Sequence, residues 1–414
     1  MLDKTFRDLQ NLNPWWDDYK FRFQVIKRPF YLTNLLSKNR LIKILIGARR
    51  TGKTSLLKNI INHFLDHRVP NLNLIFLTSD LISLQRQGIK EVLDAIYQKH
   101  LLKASQKVFI FIDEIQEIPN WQQDLKFFYD HYPISFFISG SSSLILSKQT
   151  AKLTGRFLLT QVLTLSFSEY LNFKNISPKN NPTAFLEEYL QTGGYPEYVL
   201  NKEPQYLFEV VESTLYRELL THYGIRNPGY LKELFSYLAD KITNYVSANT
   251  IKKNLGVSDQ TAKFYLQYLQ DVYLIFPLYK AGRSYKITKS SVPKYYFNDT
   301  GILYLFAQNP RIGHLVENAV FLQLLRQTKL KQRPDLFYEI KNNVEIDFVL
   351  NKNASYECKY REDLGQKDLE KYETMVEPVK FITKNLQKNF AEILPQHQQI
   401  PLWKFLLSCP STNA

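Results

Sequence analysis

Five short apolar runs, separated by stretches of helical periodicity, constrain this chain more than any other feature. They are Ile42–Ile46, Leu74–Leu77, Val108–Ile112, Ser135–Ile138 and Gln161–Leu165. Each is nearly continuous in Ile, Leu, Val and Phe. A strand with one face in water alternates apolar and polar residues; a strand covered on both faces does not. The pattern therefore predicts an α/β fold over about 41–165, with a parallel sheet between layers of helix.

The loop after the first run carries the sharpest motif. Gly47-Ala48-Arg49-Arg50-Thr51-Gly52-Lys53-Thr54 matches G-x-x-x-x-G-K-[ST], between a predicted strand and a helix over Ser55–Phe64. Glycines let backbone N–H groups wrap phosphates, Lys53 balances their charge, and the Thr54 hydroxyl suits Mg²⁺. Ser55 opens the helix. The run Val108–Ile112 ends in Asp113-Glu114. There Asp113 is expected to meet the metal and Glu114 to orient and deprotonate a water. Ser135–Ile138 runs into Ser139-Gly140-Ser141-Ser142, where Ser139 or Ser141 is placed to sense a γ-phosphate, or simply to form a turn. Arg156 is a candidate arginine finger. ATP and Mg²⁺ are the expected ligands.

The 414 residues carry a net charge of +14 and a pI near 9.3, which favours an anionic partner, nucleic acid among them. Two cysteines, Cys358 and Cys409, cannot build a disulfide framework or a zinc site. Met1–Tyr19 is charged and lacks the apolar core of a signal peptide, and no apolar run reaches membrane-helix length. A cytoplasmic protein with no membrane partner is expected.

Residues 1–37 read as an irregular basic-aromatic lead-in, and 166–245 as helix-rich, broken at Ser177–Pro182, Gly193–Pro196 and Asn227–Gly229. Asn249–Leu255, a Gly256-Val257 turn and a helix capped by Ser258 predict a helix-turn-helix. Ala262, Leu266 and Leu269 form the inner stripe of its second helix; Gln260, Lys263 and Gln267 lie off it. From Tyr279 to Phe297, Lys280, Arg283, Lys286, Lys289 and Lys294 interleave with tyrosines and no acid. This reads as a phosphate-facing hairpin, or else as a solubilising edge.

Farther on, Val344–Leu350 and Ser355–Tyr360 alternate cleanly about an Asn351-Lys-Asn353 turn. A three-residue loop sets Asp347 opposite Glu357 on one face, with Lys359 one step along. On a helix over about Ile312–Gln327, Glu317 heads an apolar stripe of Val320, Phe321, Leu324 and Leu325, where an unpaired carboxylate is costly. Glu317, Asp347, Glu357 and Lys359 form the PD-(D/E)xK nuclease pattern. In that pattern Asp347 and Glu357 bind Mg²⁺ and Lys359 positions water. A hairpin with a merely charged face is the plain alternative.

Taken in order, Gly47–Thr54, Asp113-Glu-Ile-Gln116, Ser139–Ser142, Gly155-Arg156, Leu165-Ser-Phe-Ser-Glu169, Gly193-Gly-Tyr-Pro-Glu197 and Asn298-Asp-Thr-Gly301 resemble the prokaryotic, archaeal-type ATPases of the AAA superfamily. The resemblance spans about residues 38–360. It implies a helical lid, a winged helix and a C-terminal domain resembling restriction endonucleases. The expected division is 1–37 lead-in, 38–170 ATPase core, 171–228 helical lid, 229–299 winged helix and 300–414 nuclease-like domain. The expected function is ATP hydrolysis coupled to the handling of nucleic acid, with DNA the expected partner and assembly as a homo-oligomer open through the ATPase core. The alternative is a signalling or scaffold ATPase whose C-terminal fold binds protein.

Overall fold

The apolar runs become a five-stranded parallel sheet of order β2-β3-β4-β1-β5. Its strands are β1 Ile42–Ile46, β2 Leu74–Thr78, β3 Val108–Asp113, β4 Ile134–Gly140 and β5 Phe157–Gln161. The computed structural model describes residues 2–37, 39–140, 153–222, 229–282, 284–328 and 335–408. It divides into two compact units, 1–162 and 163–414. Every residue of β1 is buried, as continuous apolarity requires. The fifth strand ends at Gln161, where its predicted run begins. Val162 still donates to the Ile46 carbonyl, but Leu165 instead donates to Gly194 and joins the core of the second unit. The apolarity of Leu165 therefore serves that second core rather than the sheet.

The lead-in is not irregular. It holds α1 Leu2–Leu12, a short turn of 3₁₀ helix at Pro14–Trp16 and α2 Pro29–Leu35. Strand β2 is a sheet edge, whose outer backbone groups need partners from outside the sheet. Trp15 and Trp16 both donate from Nε1 to the Leu74 carbonyl, at 3.1 and 2.9 Å. Asn13 exchanges two bonds with Phe76, donating at 3.0 Å and accepting at 2.6 Å. Side chains thus satisfy the edge. Such single-residue anchors leave no periodicity to read. Helices α3 Lys53–Asp66, α4 Ile82–Lys99 and α5 Trp121–His131 complete the unit.

In the second unit, α6 Phe167–Phe173, α7 Leu186–Thr192, α8 Pro196–Asn201, α9 Pro204–His222 and α10 Gly229–Asp240 supply the predicted helices. The break at 177–182 separates α6 from α7 and ends in a 3₁₀ turn that Pro182 opens, the break at 193–196 separates α7 from α8, whose first residue is Pro196, and 227–228 lie outside the described residues. Helices α11 Ala248–Leu255 and α12 Asp259–Asp271 follow, with Ser247 and Ser258 accepting from the N–H groups of Thr250 and Thr261 at 3.1 and 3.0 Å. Gly256 turns between them at φ 65°. Ala262, Leu266 and Leu269 face inward; Gln260, Lys263 and Gln267 are exposed.

The expected basic hairpin takes another form. Strands β6 Ile275–Leu278 and β7 Lys294–Phe297 pair antiparallel, and helix α13 Tyr285–Ser290 lies between them. All of β7 is buried, because Tyr296 stacks on Phe321 of α15 Ile312–Leu325 with ring centroids 4.3 Å apart. That helix is itself buried on nearly every side, wider than its predicted stripe. Helix α14 Thr300–Phe306 precedes it.

The second five-stranded sheet has the order β12-β11-β10-β9-β8. The predicted hairpin is β9 Val344–Leu350 with β10 Ala354–Lys359; β8 Leu336–Lys341, β11 Val379–Thr383 and β12 Gln398–Pro401 are additions. Strands β8 to β10 run antiparallel, whereas β10 to β12 are parallel. Parallel pairing needs crossover segments, and here these include α16 Gln366–Glu373 and α17 Phe390–Ile393. Helix α18 Leu402–Leu407 is the last element among the described residues.

Candidate functional site

The phosphate-type loop leaves the carboxyl end of β1 and enters α3. Its first residue must be glycine: at Gly47 φ is 148° and a Cβ would lie 2.3 Å from the Val162 carbonyl oxygen. Gly52, at φ 92°, opens the helix. Lys53 is buried, and its Nζ donates to the carbonyls of Gly47 and Ala48 at 2.9 and 2.8 Å. The Thr51 hydroxyl donates to Ala48 at 3.0 Å. Arg49 is half-buried, Arg50 is exposed at φ 59°, and Ser55 is half-buried in the first turn of α3.

The adjacent strand ends bring three other predicted residues to this loop. Thr54 Oγ1 donates to Asp113 Oδ2 at 2.6 Å, and the Ser139 hydroxyl donates to Asp113 Oδ1. Ser139 also accepts from the Glu114 N–H at 3.1 Å. Burial pushes the Asp113 carboxyl above its ordinary value, against the two hydroxyl bonds. Glu114 sits in the left-handed region at φ 51°, a strained position for a side chain of its size, and its carboxylate accepts from Gln116. Thr54 and Asp113 are hard oxygen donors suited to Mg²⁺, which typically takes one or two protein ligands and completes its shell with phosphates and water. Their donor set fits such an ion. Ser141 and Ser142 lie outside the described residues.

Arg156 does not reach this loop in its own chain. Its carbonyl accepts from Ile42 at the start of β1, whereas the loop leaves the other end. The two are separated by the strand's length, roughly 15 Å at ~3.3 Å per residue. Asp130 holds its guanidinium through two bonds, at 3.0 and 3.3 Å.

In the second unit, β9 and β10 pair Leu350 with Ala354 and Phe348 with Tyr356, a register that puts Asp347 opposite Glu357. Asp347 N–H donates to Glu357 Oε2 at 3.2 Å, and Asp347 Oδ2 accepts from Cys358 N–H at 2.9 Å. Glu357 Oε1 accepts from Lys359 and, at 2.6 Å, from the Tyr372 hydroxyl. Glu317 accepts from the Tyr296 hydroxyl at 2.6 Å. Lys294, a predicted outward cation, is buried instead: its Nζ lies 2.5 Å from Glu345 and 4.0 Å from Glu317. Burial first, then the charges of Glu357 and Glu317, hold the Asp347 carboxyl well above its usual range. Burial also raises Glu317, against Lys294 and Tyr296. Burial alone would depress Lys359, but Glu357 and Asp347 outweigh it and raise the ammonium. Among the described residues no three His, Cys, Asp or Glu side chains converge as metal donors. Lys294, Tyr296 and Tyr372 carry no motif, and only the fold brings them here.

Of the other predicted contact residues, Lys280 is half-buried, Lys286 is exposed, and Lys263 is exposed beside Asp259 at 2.6 Å. Arg283 and the Lys289 side chain lie outside the described residues. The remaining motifs are architectural. Ser166 and Glu169 form a capping box on α6. Asp299 accepts from the N–H groups of Gly194, Gly301 and Ile302 at 2.7, 2.9 and 3.2 Å, and burial pushes its carboxyl up to about 6. A Cβ at Gly193 would lie 2.0 Å from Asp299, and one at Gly301 2.1 Å from the Thr192 carbonyl. The two glycine motifs are therefore the halves of one clasp.

This core has the strand–loop–helix arrangement of a P-loop fold, and residues 39–171 match the family model described as AAA domain. Residues 183–311 and 312–405 match two domains of unknown function, DUF8612 and DUF4143. The chain belongs to the family of the uncharacterized protein MJ1544 of Methanocaldococcus jannaschii. The two are 31% identical over 401 residues, covering 89% of this chain and 88% of that protein. An uncharacterized protein of Haemophilus influenzae is 27% identical over 350 residues, covering 79% of this chain and 84% of its own. Among solved structures, the chain is similar to the S. cerevisiae Hsp104:casein complex in its extended conformation, at 14% identity and TM-score 0.32. That match covers 67% of this chain and 61% of the other. The replication initiator DnaA bound to AMPPCP and single-stranded DNA matches at 16% identity and TM-score 0.30, over 58% and 86%. At these scores neither likeness bears on function. No helix among the described residues is long and apolar enough to cross a membrane.

Proposed function

We propose that the chain hydrolyses ATP with Mg²⁺ at the loop 47–54. The observation that carries this reading is the 2.6 Å bond between Thr54 and Asp113, drawn from motifs far apart in sequence. Lys53 and the loop N–H groups bind phosphate, and the positive end of α3 adds to their pull. Thr54 and Asp113 hold the ion, which supplies charge neutralisation at the phosphates. Glu114 accepts a proton from the attacking water, while Ser139 fixes the Asp113–Glu114 corner. Arg156, facing away from its own loop, serves as a finger only toward a neighbouring copy in a homo-oligomer.

We further read the second unit as the part that handles nucleic acid, with 171–228 as lid, 229–299 as winged helix and 300–414 as nuclease-like domain. The support is the register that sets Asp347 against Glu357 beside Lys359. Gln260, Lys263, Lys280 and Lys286 are the contact residues on this reading. Internal pairing by Lys294 and Lys359 favours the alternative, an inactive fold that binds protein in a scaffold ATPase. The ATPase rate with and without double-stranded DNA separates the two. Stimulation supports nucleic-acid handling, and an unchanged rate favours the scaffold.

A further inference from the structure

The segment before β1 runs along the helix that follows the phosphate loop. Asn62 pairs with Phe23 in both directions, each bond 2.9 Å, and Asn59 donates to the Ile26 carbonyl at 3.1 Å. Just past this clip, Arg28 is 1% exposed. Its guanidinium lies 4.7 Å from the ring centroid of Tyr31, and Nη1 donates to the Thr51 carbonyl at 2.9 Å. Tyr31 and Leu35 are buried and anchor α2 just beyond. A buried cation is expensive. Here it is directed onto a backbone carbonyl inside the loop itself.

We propose that Arg28 is a positioning residue for phosphate binding: it fixes the Thr51–Gly52 peptide so that the Gly52 N–H is presented to the nucleotide. A trans peptide carries its C=O and N–H on opposite sides. With the Thr51 carbonyl held by Arg28, the next N–H must point away from Arg28. Gly52 stands at φ 92°, a conformation glycine adopts freely but leaves as freely. The loop is therefore intrinsically loose at this peptide, and an external clamp gives it one orientation. The strap of residues 21–35 delivers that clamp, so the lead-in becomes part of the nucleotide site.

The clamp presupposes nucleotide binding at the loop, as proposed above, which Lys53→Ala tests separately. The experiment is calorimetric titration of the full chain with Mg-ADP and with AMP. Loop N–H groups cradle the α- and β-phosphates, so AMP depends on them less. Arg28→Ala is expected to weaken ADP binding roughly tenfold or more, the scale of a charge-assisted hydrogen bond, and AMP binding less than about threefold. Arg28→Lys, which keeps a cationic donor, should restore ADP binding to within about threefold of the parent. Arg28→Met keeps the packed stem without the donor; should the alanine variant fail to fold, it must show the same ADP loss. An ADP affinity unchanged in folded Arg28→Ala or Arg28→Met overturns the proposal, as does an equal loss for ADP and AMP. If Lys53→Ala binds ADP like the parent, the loop is not the nucleotide site and both readings fall.

Discussion

The two acidic centres of this chain meet their charge in opposite ways. At the loop 47–54, Asp113 is hydrogen-bonded to two hydroxyls, from Thr54 and Ser139, and Lys53 donates to loop carbonyls. In the second unit, Glu345 and Glu317 face Lys294, and Glu357 is bonded to Lys359 and Tyr372. A centre whose carboxylate is bonded to hydroxyls, with Lys53 acting on it only from a distance, leaves more of its electrostatic demand for a ligand to meet. A centre with built-in ammonium groups has met much of that demand already. The difference teaches that acid content alone does not mark a metal site; what matters is whether the protein supplies the counter-charge.

The largest expected effect lies at the first centre. Lys53→Ala should weaken ATP binding by roughly 100-fold, as loss of a charged phosphate contact implies. Glu114→Gln should leave binding within about threefold and cut turnover by roughly 100-fold or more, measured by phosphate release. Asp347→Asn should alter neither. Parental turnover by Glu114→Gln would place the catalytic acid elsewhere and erase the contrast.

Asp299, buried like the cluster but satisfied by backbone N–H groups, gives a second contrast. Asp299→Ala should cost about 3 kcal/mol in denaturant unfolding of the chain, since three buried donors lose an acceptor. Its pKa is raised to about 6, above that of an unfolded chain. The folded state therefore gains stability as pH falls through 6 toward 4, and loses that gain as pH rises. The variant should lack this increment between about pH 7 and pH 5.

A smaller effect sharpens the central comparison. The Asp347 pKa is raised by burial and by Glu357 and Glu317, so its ionised form opposes folding at neutral pH. Asp347→Asn should then stabilise the chain near neutral pH, because the amide carries no charge to bury. The gain should shrink as pH falls and Asp347 protonates. Destabilisation by Asp347→Asn would mean that Lys294 and Lys359 compensate the cluster fully. The smallest change is at the surface. Removing Lys263 and Lys286 together should reduce the salt slope of DNA binding by about 2, one per lost phosphate contact. An unchanged slope would make this face a solvated edge.

Much of the first centre was legible because its chemistry is local. Gly47, Lys53 and Thr54 share one loop, and Asp113 and Glu114 close one apolar strand. The Asp347–Glu357 juxtaposition was legible too, since strand alternation and a three-residue loop fix register. Arg156 was legible as a cation but not as to place, because a motif does not say which end of a parallel sheet it occupies.

By itself, then, the sequence determined the parallel core, the phosphate loop, the helix pair 248–271 and the acidic hairpin, all written in periodicity or short spacing. Only the tertiary structure decided that Lys294 turns inward to Glu345, that Trp15, Trp16 and Asn13 close the edge at β2, and that Arg28 reaches Thr51. Each of these contacts joins residues 23 to 63 positions apart and depends on a single residue at each end. Periodic burial repeats along a chain and so leaves a pattern, whereas a single long-range bond stabilises one pair and leaves none.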